Sequence, residues 1–184
     1  MRKIFFSDRY GLTEAVLEGQ KTMTRRAVPE KLIRAIEGGV PGFAVMESKY
    51  KVGEVVAVAQ SYKVIRDIIG DIQDGKSIKF MSGWSNKMFV RADLMPHHIR
   101  ITNVRVERLQ DISDEDCLRE GIVEYTCNLY EYRGICYSFE GDKTKMGAHK
   151  TPREAFAALI DKVSGKGVFD SNPWVFVYEF ELVK

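Results

Sequence analysis

The hydrophobic positions along the chain follow two periods, one helical and one alternating. Residues 3–6 form a short apolar run that predicts a strand. Leu12, Ala15 and Val16 then recur at helical spacing over residues 10–18, and Gly19 stands where a helix would stop. A second helix is expected over residues 29–37, with Pro29 in its first turn and Gly38-Gly39 at its end. Val55, Val56 and Val58 predict a strand over residues 54–59. From 60 to 98 no clean period survives. Gly70, Gly75 and Gly83 interrupt it, and Met81, Trp84, Met88, Phe89 and Met95 fall irregularly. This stretch reads as an insertion or a set of long loops within a single domain over residues 1–184.

The second half is more regular. Residues 99–109 predict a strand in which Ile99 and Ile101 share one parity and Val104 and Val106 the other. A change of face near Thr102-Asn103 predicts a β-bulge, as small barrels use where they bend. Ser113 before Asp114, Glu115 and Asp116 is a helix start, with carboxylates at the positive helix end, and Gly121 is its stop. Residues 122–150 hold tyrosines, glycines and lysines without a period, and read as loops with a hairpin. Thr151-Pro152-Arg153-Glu154 is a capping box with proline at the first helical position, opening a helix to about Val163. Trp174, Phe176, Tyr178, Phe180 and Leu182 alternate with Val175, Val177, Glu179 and Glu181, which is a strong closing strand. Strands mixed with segregated helices argue for an α+β fold.

Composition narrows the class. The 184 residues are 45% hydrophobic and 29% charged, as in a globular domain, and hold no apolar run long enough to span a membrane. The first residues lack the length and cleavage pattern of a signal peptide. Cys117, Cys127 and Cys136 form no CxxC pair and are odd in number, so free thiols in a reducing cytoplasm are expected. The net charge of +2 hides an asymmetry. Residues 1–105 carry 18 Lys and Arg against 11 Asp and Glu, whereas residues 106–184 carry 10 against 15. A basic half suits a phosphate-facing surface, or else charges scattered over solvated faces.

The chemistry concentrates in Leu17-Glu18-Gly19-Gln20-Lys21-Thr22-Met23-Thr24-Arg25-Arg26. Just past a glycine turn, one lysine, two threonines and two arginines present cations and hydroxyls together. Such a cluster suits a phosphate or a polarised carbonyl, or it is a solvated turn.

Several blocks resemble a known family. Gly19-x-Lys21-x-x-x-Arg25 resembles the signature of ASCH domains, relatives of PUA domains. The strand that opens Val52-Gly53-Glu54-Val55, the strand-and-helix stretch from Val104 to Glu120, and the closing strand from Trp174 are also similar to that family's pattern. The longer form, with Trp84 and Met95-Pro96, is similar to ASCH proteins of phages and prophages. The resemblance implies a PUA-like, partly open β-barrel with flanking helices, an RNA, nucleoside or nucleotide ligand, and no cofactor. One branch of the family hydrolyses N4-acetylcytidine. Its Gly-x-Lys-Thr-x-Thr-x-Arg segment matches Gly19, Lys21, Thr22 and Thr24, with Arg26 at the last position, and its catalytic glutamate aligns with Glu120. The resemblance thus implies Thr24 as nucleophile, Lys21 as its activator and Glu120 as proton shuttle. A buried Lys21–Glu120 ion pair without chemistry is the plainer reading.

Other residues invite weaker readings. Trp84, Lys87, Phe89 and Arg91 interleave aromatic and basic side chains, as a single-strand-binding surface does, or else pack the insertion with cations at its rim. With Lys21, Thr22, Arg25 and Arg26, the residues Trp84, Lys87 and Arg91 complete the expected nucleic-acid contacts. Tyr125, Tyr130, Tyr132 and Tyr137 suit either base stacking or a packed hairpin. The adjacent His97 and His98 point apart on an extended chain, so no metal site is expected. Three functions remain: an RNA- or nucleotide-binding domain with a Lys/Thr/Arg-lined cleft, an amidohydrolase on an acylated cytidine, and a phage-borne adaptor that binds a protein.

Overall fold

The computed structural model describes residues 1–129, 132–142 and 149–183, without the side chains of residues 129 and 132. The elements run as β1 (Lys3–Ile4), α1 (Leu12–Leu17), β2 (Met23–Ala27), α2 (Glu30–Glu37), α3 (Pro41–Met46), β3 (Val55–Val58), α4 (Tyr62–Ile69), β4 (Ile72–Gln73), β5 (Lys76–Ser77), β6 (His98–Arg108), α5 (Asp114–Arg119), β7 (Val123–Leu129), β8 (Tyr132–Ser138), α6 (Pro152–Ser164), α7 (Val168–Ser171) and β9 (Trp174–Val183). The fold is α+β: a five-stranded sheet in the order β1-β3-β6-β9-β2, with flanking helices and two separate hairpins, β4-β5 and β7-β8.

The long antiparallel pair β6–β9 is the spine of the sheet. Its register shifts between Ile101 and Asn103, which leaves Thr102 as the extra residue of a bulge. Ile99 and Ile101 face Leu182 and Phe180, and beyond the bulge Val104 and Val106 face Tyr178 and Phe176. The bulge thus keeps one apolar row of β9 opposite apolar residues of β6, although the parity of β6 changes. Both faces of the sheet are covered. On one face Phe6, Tyr50, Phe176, Tyr178 and Phe180 are buried, with the Phe6–Phe180 and Tyr50–Tyr178 ring centroids 5.7 and 5.3 Å apart. On the other side Val175 and Val177 are buried in the same core as Ala155, Phe156 and Leu159 of α6.

The sheet does not close. β1 pairs in parallel with β3 and β2 pairs antiparallel with β9, so β1 and β2 are its two edges. Among the described residues no backbone pairing joins them. Instead Arg26 Nη2 of β2 donates to the carbonyl of Phe5, just past β1. The partly open barrel is therefore fastened at its seam by a side chain.

The local signals behave as the pattern predicts at both caps: Ser113 Oγ accepts from Asp116 N, and Thr151 Oγ1 from Glu154 N. The second half of the capping box is displaced by one residue, because the Glu154 carboxylate accepts from Lys150 N. Residues 122–150 do hold a hairpin, with Tyr125 partly exposed and Tyr137 packed against the main core. Tyr130 lies outside the described residues.

Three readings of local structure change. The segment after Gly19 continues into an edge strand, β2, rather than a turn, because Met23, Thr24 and Arg25 are all buried and pair with β9. Residues 60–98 contain α4, the short β4-β5 hairpin and three 3-10 turns rather than loops alone. In α4 the buried Tyr62 and Ile65 pack with Ile78, Val90 and Met95 in a second small core, while Val64 and Ile68 are exposed. Tyr62, Val64, Ile65, Ile68 and Ile69 do recur at helical spacing over these eight residues, and it is the irregular stretch after them that hides the period. The short α3 and α7 are not visible in the hydrophobic pattern. No helix among the described residues is long and apolar enough to cross a membrane, and the three cysteines are buried and free.

Candidate functional site

Lys21 emerges between α1 and β2. Gly19, at φ +76°, turns the chain, and Lys21 N donates to the carbonyl of Ala15 at 2.8 Å. The strand then carries Thr24, Arg25 and Arg26. Glu120 comes from the end of α5, where its N–H closes the last turn onto Asp116 and Cys117. The following Gly121 has φ +101°, and a Cβ there would lie 3.2 Å from Leu12 and 3.7 Å from the Lys21 stem. Gly121 thus lets the end of α5 close tightly on Lys21.

These elements bring a lysine and a glutamate 99 residues apart into a buried pair. Lys21 Nζ lies 2.6 Å from Glu120 Oε2 and 2.6 Å from the Glu120 carbonyl. The other oxygen, Glu120 Oε1, accepts from Arg25 Nη1 at 3.0 Å. Lys21 and Glu120 are only 2% and 4% exposed, so the pair is out of bulk water. Burial pushes the Lys21 ammonium below the usual lysine range, and the Glu120 carboxylate opposes that shift. Arg25 is also held by Glu107 at 2.7 Å and Asp116 at 2.9 Å. Arg105 joins Glu107, Asp116 and Glu179, and Arg119 joins Asp116 and Glu179. Lys21, Arg25, Arg105 and Arg119 thus stand against Glu107, Asp116, Glu120 and Glu179, and the network is formally neutral. Desolvation costs of this size are offset only when every member is partnered, and among the described residues no side-chain polar atom fully cut off from solvent lacks a partner.

A partly enclosed cavity of about 260 Å³ lies along the free edge of β2. Its polar lining includes Ser7, Lys21, Thr24, Arg25, Arg26 and Glu120; Leu12, Phe156, Leu159 and Val163 supply apolar walls. α6 flanks it on one side and the chain after β1 on the other. Residues 21 and 24 differ in parity, yet both reach the cavity, because it runs along a strand edge and not over one face. Among the described residues the Thr24 hydroxyl has no hydrogen-bond partner, so its lone pairs and proton remain open to the cavity.

The other expected contacts are placed as follows. Thr22 is half-buried and its hydroxyl accepts from Arg119 Nε at 3.3 Å. Arg26 is half-buried, bonded to the Phe5 carbonyl and 5.9 Å from the centroid of Phe6. Trp84, Lys87 and Arg91 do not line the cavity. Trp84 packs on the second core. Lys87 Nζ bonds Asp8 at 2.7 Å and the Phe6 carbonyl, and Arg91 pairs with Asp74 and Asp93. The sequence pattern did not single out Glu107 or Phe156 and read Asp116 only as part of a helix start; their place beside Arg25 appears only when β6, α5 and α6 come together with β2. His97 Nδ1 shares a hydrogen bond with Gln60 Oε1 at 2.7 Å. Among the described residues no cluster of three or more histidine, cysteine or acidic side chains is placed to hold a metal ion.

No family model matches the chain, and no curated protein does. Solved structures similar to it include the following two. One is protein EF3133 from Enterococcus faecalis V583, of family DUF984, at 14% identity over 100% of this chain and 76% of that one, with a TM-score of 0.44. The other is an ASCH domain from Lactobacillus crispatus JV V101, at 16% identity over 98% of this chain and 78% of that one, with a TM-score of 0.42.

Proposed function

We propose that the protein binds a nucleoside-sized amide in the cavity beside β2 and hydrolyses it, acylated cytidine being the substrate class. The observation that carries this reading is that Lys21, Thr24 and Glu120 line one cavity. About 260 Å³ lies at the small end for ligand pockets, which suits a base with its sugar better than a length of RNA. The charge balance points the same way. Lys21 and Arg25 are already neutralised by buried carboxylates, so a phosphate entering beside them would meet the Glu120 charge as well. A neutral amide meets donors without that repulsion.

In this reading Lys21, whose ammonium is disfavoured by burial, first gives its proton to the Glu120 carboxylate 2.6 Å away, and the neutral amine then takes the proton of the Thr24 hydroxyl as the oxygen attacks the amide carbonyl. The resulting ammonium faces the developing oxyanion. The proton passes to the leaving amine with Glu120 as relay, the C–N bond breaks, and an acyl ester remains on Thr24. Water cleaves that ester and restores the hydroxyl. Arg25 is a positioning residue, since it holds the second Glu120 oxygen at 3.0 Å.

The test is hydrolysis of N4-acetylcytidine followed by absorbance. Wild type should turn over, and Thr24→Ala and Glu120→Gln should each lose at least about 10²-fold in kcat. A folded wild type with no turnover removes this substrate. Unchanged rates in both variants remove these residues from the chemistry. RNA binding in the same cleft, through Lys21, Thr22, Arg25 and Arg26, would instead show filter-bound RNA whose affinity falls steeply with salt.

A further inference from the structure

We propose that a second cavity, across Arg26 from the first, binds a phosphate group, so that the preferred ligand is a nucleotide and not a nucleoside. This rests on the reading above for the placing of the base; the phosphate site stands on its own geometry. The cavity, of about 340 Å³, shares Phe5, Arg26 and Ala27 with the first as a common wall. Its remaining lining combines Lys31, Lys49, Tyr50 and Tyr178 with a single carboxylate, Glu47.

The two cavities differ in how their cations are used. Beside the first, Lys21 and Arg25 are bound to carboxylates at 2.6 to 3.0 Å. Around the second, Arg26, Lys31 and Lys49 form no ion pair among the described residues, and Arg26 spends one donor on the Phe5 carbonyl. Three unpaired cations against one carboxylate leave a local excess of two positive charges. The first turn of α2 contributes Pro29, Lys31 and Leu32 to the rim, so the positive end of that helix adds to the same field. The tyrosine walls are apolar and low in dielectric, with Tyr50 held by its hydroxyl on the Lys3 carbonyl at 2.8 Å. Cations not already matched by a carboxylate, the half-buried Arg26 above all, are the groups that gain from a phosphate. Arg26, standing in both linings, is placed to bind the group that joins base and phosphate.

The experiment is equilibrium binding of cytidine and of cytidine 5′-monophosphate to the intact protein by calorimetry, at low and high salt. The monophosphate should bind at least about tenfold tighter at low salt, the gain expected of charge-assisted hydrogen bonds, and the advantage should shrink as salt rises. A Lys31→Ala/Lys49→Ala variant, altered at two exposed side chains and checked by its melting curve, should lose most of that advantage while binding cytidine as before. Equal affinity for the two ligands overturns the proposal, as does an advantage that survives the double substitution. The two readings fail separately. A protein that prefers the monophosphate but hydrolyses no acylated cytidine keeps the phosphate site and loses the hydrolase; one that hydrolyses without the preference does the reverse.

Discussion

At the residue scale, Glu120 is the member of the site with the most to lose. It is the carboxylate that Lys21 and Arg25 share, so Glu120→Ala leaves two cations buried, whereas Lys21→Met leaves Glu120 with Arg25. Removing one side of a buried pair costs about 3–5 kcal/mol. Urea titration should therefore place Glu120→Ala well below Lys21→Met in stability. Lys21 also sets a pH dependence. Its folded pKa lies below the ordinary 10.5, so in the alkaline range the unfolded chain binds more protons than the native one. Stability then rises with pH until the unfolded value is passed. Wild type should gain stability relative to Lys21→Met as pH climbs toward that value, and the same trend in both proteins would contradict the shift. Cys117 behaves in the opposite sense: burial pushes its thiol up to about 12, so it stays protonated well above pH 9. Iodoacetamide at pH 8 should label Cys117 slowly in the native protein and readily in urea.

At the element scale, α6 has two duties, covering Val175 and Val177 and forming one wall of the first cavity. Its start depends on Thr151, so Thr151→Ala should destabilise the protein by about 0.5–2 kcal/mol, read by thermal or urea unfolding. This cap was legible in the sequence, as were the Ser113 cap, the bulge at Thr102 and the alternation of β9. Each is a short-range signal in which neighbouring residues decide the geometry. β2 was not legible, because an edge strand carrying Thr24, Arg25 and Arg26 has no apolar alternation; it is held by pairing with β9, 150 residues away. α4 was open to the sequence, since Tyr62, Val64, Ile65, Ile68 and Ile69 share one face opposite Lys63, Arg66 and Asp67; its eight residues are masked only by the irregular stretch that follows. The candidate site divides the same way. The pairing of Lys21 with Glu120 was open to the sequence as an ion pair, but the partners of Arg25, which consume it, lie on two other elements, β6 and α5.

At the scale of the whole molecule, the sheet separates its charges. One face of β2, β6 and β9 carries the neutral network around Arg25, and the other carries rings together with Arg26. Part of the basic excess of residues 1–105 is cancelled locally, since Lys87, Arg66 and Arg91 are each tied to a nearby carboxylate, whereas Arg26, Lys31 and Lys49 stand round one cavity. Hydrogen exchange should follow the topology. Amides of β6 and β9 at the centre should be the slowest, and those of β1 and β2 that face away from the sheet the fastest.

The fastening between β1 and β2 has a mechanical consequence. A closed barrel resists widening because many backbone bonds along its last join must break together. Here the join is a guanidinium reaching one carbonyl, Arg26 to Phe5. Letting go of that bond frees the lip without unzipping any strand, and it frees the same side chain that stands between the two cavities. The clasp of the barrel and the shared wall of its two cavities are then one side chain, so replacing Arg26 removes both at once.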